Sequence, residues 1–155
     1  MAESYDLIIR GGTVATPNGI APTDVAVRAG RIASIGTIAG SAAEEIDARG
    51  LHVLPGVIDT QVHFREPGLE HKEDLATGTA AAALGGVTAV FEMPNTKPST
   101  LSAEDLADKR RRAQGRVWCD IAFFVGAAAE NAAIGGAGAA AGLRRREDVH
   151  GKLDR

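Results

Sequence analysis

The chain has 155 residues, a formal net charge of -3 and one cysteine. This length allows one domain with its own core but is too short for a whole (β/α)8 barrel, which typically needs about 250 residues. Because no basic stripe with interleaved aromatic residues is present, we expect no nucleic-acid partner. One cysteine cannot form an internal disulfide, and no signal peptide or long apolar span is visible. We therefore expect a cytoplasmic protein with no membrane partner.

Residues 1–52 are predicted to form a β-rich flanking module. Its four predicted strands cover residues 5–10, 24–28, 31–35 and 45–48. The second and third strands flank Ala29-Gly30, which is the pattern of a β-hairpin. Gly11-Gly12 predicts that the first strand ends there.

From residue 51 onward, strands alternate with helices, which predicts an α/β fold with a parallel sheet. The predicted strands cover residues 51–58, 87–91 and 117–125, and the predicted helices cover residues 72–83 and 102–114. The first strand is strongly apolar and is predicted to be buried. Ser102, with Asp105 three residues later, predicts the start of the second helix. The basic run at residues 109–112 on that helix is predicted to be a solvated face.

Three polar side chains follow the first of these strands at alternating positions. Alternation places Asp59, Gln61 and His63 on one face of an extended chain. A neutral imidazole is a good ligand for zinc, and an aspartate can bind the metal or orient another ligand. Glutamine is a weak donor, so a metal site and a hydrogen-bonded structural histidine both remain open.

Arg65 and Asn95 are candidate substrate-binding residues. A guanidinium beside Pro67-Gly68 at a strand end is suited to bidentate binding of a carboxylate or phosphate. The alternative for Arg65 is an ion pair with Glu66 or Glu73. Asn95 follows the second strand at the equivalent level of a barrel, and its alternative is ordinary turn chemistry.

Four segments carry a family resemblance: residues 55–68, 72–74, 85–88 and 93–96. Together they resemble the N-terminal part of a dihydroorotase of the amidohydrolase superfamily. The resemblance implies a small β-sandwich followed by a distorted (β/α)8 barrel. Residues 53–131 would then be the first βα units of a truncated metal-dependent hydrolase barrel.

The resemblance also implies roles for the candidate residues. The family's first barrel strand ends in His-x-His, which binds one or two Zn2+ ions; His63 takes the second place, and Gln61 replaces the first histidine. Asp59 would contact the metal ligands, and Arg65 and Asn95 would bind the substrate carboxylate. The implied reaction interconverts dihydroorotate and N-carbamoyl-aspartate in pyrimidine biosynthesis. The remaining ligands and the general base come from later strands in the family, so we expect no catalytic residue here and an inactive truncated chain.

Two other functions remain open. The first is allantoinase or hydantoinase activity on the same scaffold. The second is a non-catalytic partner of aspartate transcarbamoylase, with which the replacement of a metal ligand by Gln61 would agree. Homo-oligomers are a further expectation.

Residues 132–155 form a low-complexity tail. Its alanine and glycine content is typical of disorder. A second hypothesis is a frameshift, because the next reading frame permits a Gly-Val-Lys-Met-Phe-Met-Gly run, as expected near the bridging lysine of the family. Sequencing of the gene would decide between the two.

Overall fold

The computed structural model describes residues 4–131. The chain divides into two compact units, and the first ends at Pro55 and the second begins at Gly56. The low-complexity tail predicted for residues 132–155 lies outside the described residues.

The first unit is built on a five-stranded sheet. Its strands are β1 (Ser4–Thr16), β2 (Gly19–Arg28), β3 (Arg31–Gly36), β4 (Ser41–Asp47) and β5 (His52–Val53). β1 pairs antiparallel with β2 and parallel with β4 and β5, and β3 pairs antiparallel with β2. The predicted β2–β3 hairpin is confirmed. Its turn residues, Ala29 and Gly30, have φ values of 51° and 68°, as a tight hairpin turn requires.

The predicted end of β1 at Gly11-Gly12 is wrong. The strand continues to Thr16, and its pairing register with β2 shifts between Ile9 and Gly12. Gly11 has φ 66°, and its amide donates to the Asp24 carboxylate at 2.8 Å. The two glycines therefore form a bulge within the strand rather than a break.

The single buried strand predicted over residues 51–58 is also wrong. β5 belongs to the first sheet, and β6 (Val57–Val62) begins a second sheet. Pro55 lies between them and has no amide hydrogen to donate to a ladder. Leu54 is 65% exposed and Ile58 is 60% exposed, because these side chains meet no second layer within residues 4–131.

The second unit has the predicted α/β organisation. It contains β6, α1 (Leu75–Leu84), β7 (Val87–Glu92), α2 (Ala103–Ala113), β8 (Asp120–Phe123) and a short 3-10 helix (Ala129–Asn131). The strands form a parallel sheet in the order β6-β7-β8. Its core consists of Phe64, Leu75, Val90, Ala113 and Ile121. Within residues 4–131, every helix is too short or too polar to cross a membrane.

Both long helices begin with a capping box. Asp74 precedes α1 and accepts a hydrogen bond from the Thr77 amide at 2.8 Å. Ser102 precedes α2, as predicted, and exchanges hydrogen bonds with Asp105 at 3.1 and 3.0 Å. These contacts satisfy amides that have no partner inside the helix and fix where each helix begins.

Candidate active site

Two loops meet at the carboxyl edge of the parallel sheet. The β6–α1 loop covers residues 63–74, and the β7–α2 loop covers residues 93–102. The Met93 amide donates to the Val62 carbonyl at 2.9 Å, and the Lys97 amide donates to the Pro67 carbonyl at 3.0 Å. This edge is where open and closed α/β sheets place ligands.

His63 and Asn95, predicted from separate segments, are in direct contact. The His63 Nδ1 and Asn95 Oδ1 atoms are 2.8 Å apart. An amide oxygen only accepts hydrogen bonds, so Nδ1 is the donor in this contact, and in the neutral imidazole Nε2 then keeps a lone pair. His63 is exposed, and Nε2 makes no hydrogen bond within the described part of the chain. Metal-binding histidines are commonly held in this way by an oxygen on the second ring nitrogen.

Arg65 is half-buried and forms no ion pair within residues 4–131. The alternative pairing with Glu66 is not formed, because Glu66 has other partners. Arg116 donates to both carboxylate oxygens of Glu66 at 2.7 and 3.0 Å, and the Leu75 amide donates to it at 3.1 Å. Glu73 likewise forms no ion pair with Arg65 within residues 4–131. The Arg65 guanidinium therefore has no carboxylate partner within the described residues.

Asp59 and Gln61 are both exposed residues of β6, and they interact through a local hydrogen bond. The Gln61 amide donates to the Asp59 carboxylate at 3.0 Å. Among residues 4–131, no group of three or more histidine, cysteine, aspartate or glutamate side chains is arranged to hold a metal ion. His63 offers one good nitrogen ligand, and Gln61 offers at most a weak oxygen. These donors do not amount to a metal site by themselves.

The second unit contains a buried ion pair next to the start of the β7–α2 loop, and this pair was not predicted from the sequence. Lys109 on α2 and Glu92 at the end of β7 have side-chain exposures of 1% and 0%. Lys109 Nζ donates to Glu92 Oε2, and it donates to the Met93 carbonyl at 3.2 Å. The solvated face predicted for residues 109–112 is therefore wrong at Lys109. The spacing that places Ala113 in the core also places Lys109 there, four residues earlier.

Burial raises the pKa of the Glu92 carboxyl to about 7. The hydrogen bond and charge of Lys109 oppose this rise, and the charges of His63 and Arg65 oppose it more weakly. The carboxyl thus lies within electrostatic reach of the two candidate residues on the β6–α1 loop.

Comparison with known proteins identifies the family. The family described as "Dihydro-orotase-like" matches residues 50–145. The chain belongs to the dihydro-orotase-like family. It is 44% identical over 129 residues to the allantoinase of Escherichia coli strain SMS-3-5, and 43% identical to that of strain K12 / DH10B. Each match covers 83% of this chain and 28% of the relative, so the chain spans less than a third of the curated relatives it matches.

Solved hydantoinase structures have a similar fold. The L-hydantoinase (dihydropyrimidinase) from Arthrobacter aurescens matches with a TM-score of 0.77 and 30% identity, over 88% of this chain and 31% of that chain. A D-hydantoinase from Bacillus sp. AR9 matches with a TM-score of 0.65 and 36% identity, over 76% of this chain and 26% of that chain. The superfamily named from the sequence is therefore confirmed. These relatives are allantoinases and hydantoinases, and they do not single out dihydroorotase.

Proposed function

We propose that this chain is the N-terminal part of an enzyme that hydrolyses the ring amide of a cyclic ureide, the substrate class of allantoin and hydantoin. The observation that carries the proposal is the contact between His63 and Asn95 at the carboxyl edge of the sheet. It leaves an oriented imidazole lone pair at the place where this type of sheet binds its ligands. The names of the similar allantoinases and hydantoinases support the ring-amide class.

The proposed reaction adds one water to one ring. The water oxygen attacks the amide carbonyl carbon, the carbon–nitrogen bond breaks, and the leaving nitrogen takes a proton. The new carboxylic acid ionises near neutral pH, so each turnover releases one proton. His63 would present Nε2 to the reacting centre, and Arg65 would hold an oxygen of the substrate. We assign no step to a metal ion, because the donors within residues 4–131 do not form a metal site.

Dihydroorotate is a second candidate substrate, and one observation favours it. Arg65 has no carboxylate partner within the described residues, whereas its neighbour Glu66 is paired with Arg116. A guanidinium without an internal partner is suited to a substrate that carries its own carboxylate. Dihydroorotate has such a carboxylate, and a hydantoin ring does not.

A chimeric enzyme tests the proposal. The segment of the Escherichia coli allantoinase that matches this chain is replaced by the corresponding part of this chain, and proton release is measured with allantoin, hydantoin and dihydroorotate. We expect ring opening of allantoin or hydantoin. Asn95→Ala should lower the rate about 10- to 100-fold by releasing His63. Asn18→Ala, which alters an exposed turn asparagine, should leave it unchanged.

The substrate that is opened decides between the candidates. Turnover of dihydroorotate alone, with a raised KM in Arg65→Lys, would favour the second candidate. A folded chimera that opens none of the three rings, beside an active parent enzyme, would refute the proposed function.

A further inference from the structure

We propose that the buried Lys109–Glu92 pair positions His63 and selects its tautomer. Lys109 holds the Met93 carbonyl, which fixes the turn that carries Asn95, and Asn95 then holds the proton on His63 Nδ1. This proposal concerns the same candidate site. It rests on the proposed function only in that the tautomer of His63 would matter for catalysis. The tautomer itself is a property of the folded chain and can be measured without substrate or metal.

The first step is the placement of the Lys109 ammonium inside the unit. Nζ contacts the Glu92 carboxylate and the Met93 carbonyl, and it lies 5.7 Å from the centre of the Phe123 ring. An ammonium is strongly hydrated in water, so it remains buried only where charge and hydrogen bonds compensate. Glu92 supplies the charge, and Met93 accepts a second hydrogen bond.

The second step is the fixing of the turn before Asn95. The Met93 amide is bonded to Val62, and its carbonyl is bonded to Lys109, so both of its peptide groups are held. The next carbonyl, that of Pro94, accepts from the Thr96 and Thr100 amides at 3.0 and 2.9 Å. Asn95 is therefore carried by a backbone that is anchored on both sides.

The third step is the effect of the fixed Asn95 side chain on the His63 imidazole. Neutral histidine can carry its proton on either ring nitrogen, and the hydrogen bond at one nitrogen decides which. The Asn95 oxygen favours the Nδ1–H form. A hydrogen bond of ordinary strength changes the ratio of the two forms about two- to tenfold. Removing the Lys109 anchor should therefore shift the ratio by that factor.

Glu92 is the carboxylate partner of Lys109, but within residues 4–131 its side chain forms no hydrogen bond to the β7–α2 loop. One oxygen, Oε2, accepts from Lys109, and the other, Oε1, is buried and has no hydrogen-bond partner within residues 4–131. Removing Lys109 alone would leave a buried carboxyl unpaired, which is strongly unfavourable. Replacing both residues with apolar ones avoids that effect and still removes the donor to Met93.

The test is an NMR measurement of the imidazole nitrogens in the full 15N-labelled chain. It is made at about pH 8.5, where a histidine with an ordinary pKa of about 6.5 is neutral. The His63 signals are assigned by their loss in His63→Gln, because the chain has four histidines. We expect the wild type to show a protonated Nδ1. Lys109→Met and the double variant Glu92→Leu/Lys109→Met should both shift the ratio toward Nε2–H.

Arg111→Met is the matched control, because it removes a cation from the exposed face of the same helix. It should keep the wild-type ratio. An unchanged ratio in a folded Lys109→Met or double variant would overturn the proposal. Loss of folding in both variants would show that the pair serves stability alone and would also overturn it. Since no ring is opened in the experiment, its result is independent of the proposed reaction.

Discussion

Gly68 allows a close approach between the two loops of the candidate site. It has φ 94°, and a Cβ atom built there would lie 2.1 Å from the Lys97 carbonyl oxygen and 2.6 Å from the Lys97 Cβ. Both distances are far below contact, so Gly68→Ala must push the loops apart. That movement would strain the hydrogen bond from the Lys97 amide to the Pro67 carbonyl.

The expected loss of stability has two parts. A side chain at positive φ costs about 1–2 kcal/mol. Forcing an extra methyl group into a filled space costs about 1–3 kcal/mol more. The total for Gly68→Ala is therefore about 2–5 kcal/mol. Gly86 has φ 82°, and in the part of the chain that the structure describes nothing lies within 4 Å of a Cβ atom built there. Gly86→Ala should therefore cost only the first part, about 1–2 kcal/mol.

Urea unfolding followed by far-UV circular dichroism measures the difference. The midpoint of Gly68→Ala should fall further than that of Gly86→Ala, with similar slopes for the two variants. The His63–Asn95 contact should weaken in Gly68→Ala and remain in Gly86→Ala. Equal midpoints for the two variants would refute the argument that the loops are in van der Waals contact at Gly68.

Three further predictions concern the second unit. Glu92 has a pKa of about 7 in the folded chain and an ordinary value of 4.5. The folded state therefore binds more protons between these values. The contribution of Glu92 to stability is complete below pH 4.5 and is lost as the pH rises through about 7. The melting temperature of the wild type should fall across this window more steeply than that of Glu92→Gln. Thr79→Val removes a hydroxyl that donates to the Leu75 carbonyl at 2.6 Å and accepts from the Trp118 amide at 3.2 Å; it should cost about 1–3 kcal/mol in urea unfolding. Leu75→Ala empties a fully buried position and should cost about 2–5 kcal/mol in the same assay.

Each of these predictions has an outcome that contradicts it. Parallel pH profiles for the wild type and Glu92→Gln would mean that the carboxyl does not titrate in this window. Thr79→Ser keeps the hydroxyl and should retain most of the stability that Thr79→Val loses, so equal losses would exclude the hydrogen-bond explanation. A cost below about 1 kcal/mol for Leu75→Ala would show that the core is not closely packed there.

Local sequence patterns were sufficient to predict the order of the elements in the second unit. Apolar runs and alanine-rich segments alternate there, and the structure has the corresponding strands and helices. Ser102 and Asp105 predicted the start of α2 because a capping box depends on residues only three positions apart. The hairpin at Ala29-Gly30 is equally local.

The errors occurred where distant contacts decide the structure. The apolar run at residues 51–58 looks like one strand. Its first half contains β5, which pairs with β1 in the first sheet, and its second half begins β6, which pairs with β7 in the second sheet. Gly11-Gly12 resembles a strand end, and only the pairing with β2 shows that it is a bulge. Lys109 resembles its arginine neighbours, and only its position four residues before Ala113 gave a signal that it is buried.

The candidate site was predicted residue by residue but not as an arrangement. His63, Arg65 and Asn95 stood out because polar residues follow apolar strands at each of these places. The bond between His63 and Asn95 joins residues 32 positions apart, and no local pattern encodes it. The predicted roles of these residues as substrate or metal contacts remain predictions, and so do those of Asp59 and Gln61.

The anchoring of the two loops has a consequence for how this scaffold can diverge. A capping box fixes the helix that follows each loop, and backbone hydrogen bonds tie the loops to each other and to the strands. The interactions that maintain the fold therefore lie mainly at the ends of the loops and in their main chain. Exposed side chains between these anchors can be exchanged during evolution at little energetic cost. A gene duplicate of such a scaffold could change the side chains at the carboxyl edge of its sheet through a few surface substitutions while its core stays unchanged.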